Sequence, residues 1–142
     1  MTGYANMQAY RRTQIEQAGP EEVLLRLMEA GVRSARQTYS FAEQEELVRA
    51  RESALRTLDV VTELDGSLNR EADTDVVADL DALYSFLVRE ISDANMKSEF
   101  HRFRQVESIL HTLYEGWKDA VAEYRSAQGK DADTGVAVGA QV

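Results

Sequence analysis

The stretch Ala18-Gly19-Pro20-Glu21-Glu22 contains the chain's single proline and divides a short polar-aromatic leader from everything that follows. Proline fixes its own φ and has no amide hydrogen, so it suits the first turn of a helix and disfavours helix in the residue before it. Pro20 therefore reads as a helix start. Glu21 and Glu22 fall in that first turn, where their carboxylates meet the positive end of the helix dipole.

Downstream the apolar residues keep a helical period. The first long helix is expected from Glu21 to about Glu43, with Val23, Leu24, Leu27, Met28, Val32, Ala35 and Tyr39 on its apolar side. Ser40 to Glu43 also fits a capping box, which leaves a break near Ser40 as the less favoured alternative. A second helix, about Leu47 to Leu68, carries Leu47, Ala54, Leu55, Leu58, Val61, Leu64 and Leu68, with Gly66 loosening its end. Asp73 or Thr74 can cap a third helix drawn from Thr74 to Ala94, whose apolar residues run from Val76 and Val77 through Leu80, Leu83, Tyr84, Leu87 and Val88 to Ile91. Asn95 suits the left-handed position that ends a helix, and Ser98-Glu99 starts a fourth, reaching about Arg125 with Phe100, Phe103, Val106, Leu110, Leu113, Tyr114, Trp117, Val121 and Tyr124. The connections are short. The expected fold is all-α, an antiparallel up-down-up-down four-helix bundle over 20–125.

Upstream, Tyr4, Met7, Tyr10 and Ile15 share one broad face of a short amphipathic helix within a leader spanning 1–19. A helix of that length is marginal alone, so it docks on something or stays mobile. Beyond Ser126 the helical period is lost among Gly, Ala, Asp and Val, and 126–142 reads as a disordered tail.

Composition excludes several functions. The 142 residues carry a formal charge of −9, which repels phosphate backbones and makes nucleic acid an unlikely partner. Apolar runs such as Val23-Leu24-Leu25 are far too short for membrane insertion, and Met1 to Asn6 lack the regions of a secretory signal, which places the protein in the cytoplasm. There is no cysteine, hence no disulfide and no thiolate chemistry. His101 and His111 lie about 15 Å apart along one helix and cannot form one site in a single chain. Glu107 precedes His111 by four residues rather than three, so the Glu-x-x-His pattern of metal-binding bundles is absent. The acidic Glu43, Glu45 and Glu46 read as a solvated helix end. No nucleophile elbow, phosphate loop or zinc-protease motif occurs. The chain is not expected to be an enzyme or to need a cofactor or metal.

One excess stands out. An apolar stripe a little over 100° wide serves a globular helix, yet the stripes here span about 180° to 200° on the first, second and fourth helices and about 140° on the third. Phe86 falls outside its stripe, and Val60 and Ile109 lie at the margins of theirs. A fifth helix supplied by the leader, a homodimer, or a partner helix could cover the surplus. Trp117, among Leu113, Tyr114 and Val121, reads as a core residue more readily than as a binding hot spot.

Several weak motifs occur in a joint order. Tyr10 in the leader is followed by Gly19, Pro20, Glu22, Val23, Leu24, Leu27, Met28, Glu29 and Ala30; Glu63-Leu64 and Ser67-Leu68 follow, then Leu83-Tyr84, Ala94-Asn95, Val106, Leu110, Leu113 and Trp117. In this order the chain resembles the flagellin-specific export chaperones, the FliS family, over about Tyr4 to Tyr124. It departs from the family where a tyrosine is usual and Met28 stands, where Asp-Gly is usual and Glu29-Ala30 stands with Gly31 next, and in having Glu16-Gln17-Ala18 where a Thr/Ser-rich stretch is common.

The resemblance implies a cytoplasmic bundle with an additional N-terminal helix and no cofactor. It implies binding of the C-terminal segment of flagellin, protection against premature polymerisation, and help in delivery to the flagellar type III export gate. Together with the surplus stripes it suggests that Met7, Tyr10 and Ile15 cover a partner-binding groove lined by Met28, Val61, Leu64, Leu68, Tyr84 and Leu87, with Gly19-Pro20 as the hinge. The competing expectation is a homodimeric structural bundle.

Overall fold

The computed structural model describes residues 19–72 and 74–131. They form α1 (Pro20–Glu43), α2 (Leu47–Ser67), α3 (Asp75–Met96), one 3-10 turn (Phe100–Arg102) and α4 (Phe103–Asp131). The bundle is all-α and up-down-up-down. The leader expectations at Met7, Tyr10 and Ile15, and the alternative cap at Asp73, lie outside the described residues.

Pro20 is the first residue of α1, and the extended Gly19 (φ −65°, ψ 160°) precedes it. The Gly19 carbonyl accepts from the amides of Glu22 and Val23 at 3.0 and 3.1 Å. Arg125 of α4 reaches Glu22 at 2.5 Å and Glu21 at 3.8 Å, so the first turn of α1 is tied to the far part of α4. At the start of α3, Thr74 caps as expected, its hydroxyl accepting from the Val77 amide at 3.2 Å.

α1 passes Ser40 without a break and ends in a Schellman turn: the Glu46 amide donates to Phe41 O at 2.9 Å and the Glu45 amide to Ala42 O at 3.0 Å. α3 ends the same way, with Glu99 N donating to Ala94 O at 2.9 Å and Ser98 N to Asn95 O at 3.2 Å. The left-handed residues of the two turns are Glu45 (φ 60°) and Ser98 (φ 56°). Asn95 was the expected one; α3 instead runs on to Met96, and the Asn95 carbonyl is held by Arg51 of α2 at 3.0 Å. Arg51 also donates to Ser98 Oγ at 2.8 Å, which joins the start of α2 to the end of α3.

At its other boundaries α4 also differs from the sequence expectation. A separate 3-10 turn takes up Phe100 to Arg102, and the helix proper starts at Phe103. It continues to Asp131, six positions past Arg125, because Ser126, Ala127 and Gln128 are all compatible with helix and the one glycine at 129 costs only about 1 kcal/mol. Residues 132–142 lie outside the described set.

Helix packing is unequal. α1 lies against both α2 and α4, α3 lies mainly on α2, and α3 and α4 make little direct contact. The α1–α2 seam is made of small residues: Gly31, Ser34, Ala35 and Thr38 meet Ala50, Ser53, Ala54 and Thr57, all buried. Every hydroxyl in it has a partner. Ser34 Oγ lies 2.8 Å from Thr57 Oγ1, Thr38 bonds Ser34 O at 2.8 Å, Thr57 bonds Ser53 O at 2.9 Å, and Ser53 Oγ accepts from Arg56 at 3.0 Å. Leu47 and Leu55, expected on the apolar side of α2, are instead 56% and 48% exposed, since the close seam is reached through the small residues and not through these leucines.

A Cβ placed on Gly31 would sit 3.0 Å from Val60 Cγ1 and 3.1 Å from Leu110 Cδ1. Around this layer the core is filled by Phe103, Met28, Leu64, Leu87, Ile91, Leu110, Val61 and Val106. The 3-10 turn is bolted to α3 by Arg102, which donates to Glu90 at 2.8 and 2.9 Å, to Asp93 at 2.8 Å and to Glu99 at 3.1 Å. These hydrogen bonds hold the Glu90 and Asp93 carboxyls below their ordinary range.

Three outcomes are expected. Gly31→Leu inserts side-chain atoms where there is no room and should lower the urea midpoint by an overpacking cost of about 1–3 kcal/mol. Glu45→Gly removes the Cβ penalty of a left-handed residue and should stabilise the protein by roughly 0.5–1 kcal/mol, read as a rise in Tm. Because Glu90 and Asp93 titrate lower in the folded chain than in the unfolded one, their contribution is present above about pH 4 and is lost as pH falls through the depressed folded values. Denaturant titrations of wild type and Arg102→Gln should therefore differ most near neutral pH, and the gap should close from about pH 5 downward.

Candidate functional site

The six described residues expected to line a groove come together, but not at a surface. Met28, Val61, Leu64, Tyr84 and Leu87 are at most 3% exposed and Leu68 is 9% exposed. They are core residues from α1, α2, the chain just after α2, and α3, and they close the interior of the bundle. Four of them, Met28, Leu64, Leu68 and Tyr84, border a small, partly open cavity of about 20 Å³ together with Leu24, Ser67, Leu80, Leu113 and Trp117. That is room for about one water molecule, not for a helix. Burial pushes the Tyr84 phenol up to about 12, so it stays neutral throughout the physiological range.

The open apolar surface lies one layer further out, between α3 and α4. Val76, Leu80 and Leu83 form one wall and Ile109, Leu113 and Trp117 the other, with Ser108, Thr112 and Gly116 along the α4 edge. The volume between them is about 490 Å³ and it is open to solvent. The walls follow from sequence spacing. Positions 76, 80 and 83 repeat on one face of α3, as 109, 113 and 116–117 do on α4. From Ser108 to Trp117 the groove runs about 13.5 Å along α4, or two to three turns.

It is open because α3 leans on α2. At one end the Arg102 network holds α3 to the 3-10 turn, and at the other Arg70 bridges Asp65 of α2 and Asp81 of α3 at 2.6 and 2.9 Å. Between those ties α3 and α4 stand apart. Val76 is 56% and the neighbouring Phe86 37% exposed.

Trp117 borders both spaces, the small cavity and the outer groove. It is half-buried, which makes it part of the core and part of the groove wall at once. Its Nε1 is fully buried and has no hydrogen-bond acceptor among the described residues. The widths of the stripes carried the signal for this groove. Ile109 at the margin of its stripe is groove wall, and Phe86 outside its stripe is exposed, whereas Val60 at the margin packs over Gly31.

The two histidines are exposed, and His111 lies 3.9 Å from Glu115. Among the described residues no three His, Cys, Asp or Glu side chains gather as a metal site, and no helix is long and apolar enough to cross a membrane. The chemistry available is that of a binding surface: two parallel apolar rails of the length and spacing that receive an amphipathic helix at its i, i+3/i+4 and i+7 positions.

The model of the family described as flagellar protein FliS matches residues 3–124. The flagellar secretion chaperone FliS of Bacillus subtilis (strain 168) is 25% identical over 117 residues, covering 82% of this chain and 86% of the relative. The protein of the same name from Vibrio cholerae is 26% identical over 125 residues, covering 85% and 92%, and that of Salmonella typhimurium 22% identical over 119 residues, covering 80% and 88%. A crystal structure of a flagellar chaperone from bacteria superposes with a TM-score of 0.68 at 20% identity, over 83% of this chain and 98% of the other, and shares the fold. With the family model matched from the leader to position 124 in α4, the chain belongs to the FliS family of flagellar proteins.

Proposed function

We propose that the protein is a flagellar secretion chaperone that acts in the cytoplasm, where it binds the C-terminal segment of flagellin, keeps it from polymerising early and assists its delivery to the flagellar export apparatus. Family membership supports the class of function. The observation that carries the binding role is the open α3–α4 groove, whose two apolar rails are unmatched by any described element of the chain. A segment that folds on docking would gain by burying its apolar face there and would lose part of that gain to the cost of being ordered.

The leader enters as the competitor. It joins α1 at Gly19, and Leu24, in the second turn of α1, borders the same small cavity as Trp117. On this reading a short amphipathic helix through Met7, Tyr10 and Ile15 covers the groove until the client replaces it, since a helix of that length is marginal alone. Met28, Leu64, Leu68 and Tyr84 border only a small space, whereas Val76, Leu83 and Ile109 line the wide groove that is accessible as the bundle stands.

Mixed with the C-terminal portion of its own organism's flagellin at micromolar concentration, the protein should form a stable 1:1 complex by gel filtration and calorimetry. Leu83→Glu should weaken it by roughly tenfold or more, the equivalent of one lost leucine burial, with little change in helicity by circular dichroism. Absence of a complex, together with a concentration-independent dimer by sedimentation, would instead favour the homodimeric bundle.

A further inference from the structure

The α3–α4 groove has an electrical character as well as an apolar one. On α3, Asp75 and Asp79 each precede a wall residue, Val76 and Leu80, by one position, so they form a row along the outer edge of that wall. On α4, Asp119 and Glu123 continue the row of Thr112 and Gly116 at helical spacing past the end of the groove. All four carboxylates are exposed. None has an ion-pair partner among the described residues, unlike Asp81, which Arg70 holds, or Glu107, which Arg36 holds at 3.0 Å. No lining residue of the groove is charged; of the nearby cations, Lys118 lies over the Tyr114 ring, 5.9 Å from its centre, and the exposed Arg89 stands one turn past Phe86, beyond the last α3 wall residue Leu83.

We infer that the groove selects an amphipathic helix whose apolar stripe is flanked by lysine or arginine, with Asp75, Asp79, Asp119 and Glu123 facing those cations. This inference deepens the chaperone reading by naming the chemistry of the segment that docks. Apolar rails set the spacing of the anchors, and a like-charged rim rejects helices with acidic flanks, since juxtaposed like charges oppose docking. The long alkyl stems of lysine and arginine add to the match, because they can lie along the exposed edges of Val76 and Phe86 while their heads reach the carboxylates.

The test uses the full chain and two synthetic 18-residue helical peptides without tryptophan. They share one apolar stripe and differ only in flanking Lys or Glu. Trp117 is the chain's single tryptophan and lies in the groove wall, so its emission reports docking there. The Lys-flanked peptide should bind the tighter at 20 mM salt, with the difference shrinking at 500 mM. The protein's overall charge of −9 would favour any cationic peptide, so the deciding comparison is between two variants of equal charge.

Asp79→Asn with Asp119→Asn should weaken Lys-peptide binding at low salt roughly three- to thirtyfold, the range for two surface ion pairs. Glu29→Gln with Glu52→Gln, on the exposed sides of α1 and α2, should change it less than about twofold by the same measure. Equal effects of the two double variants, no preference for the Lys peptide, or no binding of either peptide would overturn the inference. Flagellin binding measured alongside keeps the two ideas apart: a flagellin complex with no rim effect removes the charge selectivity alone, and a rim effect without a flagellin complex removes the client assignment alone.

Discussion

The close approach of α1 and α2 is the constraint from which the rest of the bundle follows. Helices pack at 8–10 Å according to the side chains between them, and here those side chains are Gly31, Ala35, Ala50 and Ala54, with three of these four positions at 0% exposure and the fourth buried. A glycine at position 31 admits Val60 from α2 and Leu110 from α4 to the same spot. α1 thereby becomes the hub, touching both neighbours closely. α3, held by α2, cannot also reach α4, and the fourth seam of the bundle is left open. The groove is thus a by-product of unequal packing distances rather than of any gap in the helices themselves.

Polar residues in that seam help fix its register. Ser34 and Thr57 face each other across it at 2.8 Å, while Thr38 and Thr57 satisfy themselves on the carbonyls one turn back in their own helices. A slide of one helix past the other would part the Ser34–Thr57 pair and leave hydroxyls buried without partners, at about 1–3 kcal/mol each. An all-leucine seam would tolerate such a slide more readily. Arg51 and Arg102 perform the equivalent task at the turn end, where one carries α2 to the end of α3 and the other carries the 3-10 turn to α3.

Much of this architecture could be read from the sequence because its signals are local. Pro20, Thr74 and the apolar period of four helices placed the starts and the order of the elements. Helix ends were less legible: Asn95 looked like the left-handed residue, but the choice between Asn95 and Ser98 depends on where Arg51, distant in sequence, holds the chain. The extension of α4 to Asp131 depended on how much one glycine costs in a long helix. Which apolar residues face solvent was less legible for a related reason. Periodicity says which face of a helix is apolar, and it does not say which part of that face a neighbour covers. Met28, Leu64 and Leu87 look no different in sequence from Val76 and Leu83, yet the first three are core and the last two are reachable from solvent. What separates them is the small-residue seam, whose serines and threonines an apolar count passes over.

The distribution of ion pairs bears on why the apolar groove stays open in the folded chain. On the α1–α4 side the charges are matched across helices: Arg36 with Glu107, which also accepts from the Tyr39 hydroxyl, Arg104 with Glu43, and Arg125 with Glu22. Arg104 also lies over the Tyr39 ring, 4.4 Å from its centre. That seam is laced shut. Beside the α3–α4 groove Asp75, Asp79, Asp119 and Glu123 are exposed carboxylates, and the exposed Arg89 carries the α3 row on past Phe86, beyond the groove wall. Carboxylates on both sides of a groove oppose its collapse and oppose the meeting of two such grooves from two copies of the chain, while water at the rim screens the repulsion enough for the fold to tolerate it. A self-association that buried the groove against its own copy would bring eight such carboxylates together, counting four from each chain. A rim of this sign would cost nothing when the incoming helix supplies the opposite charge, so under the inference drawn above one arrangement of acids would both oppose self-pairing of the unoccupied groove and admit a partner of the right kind.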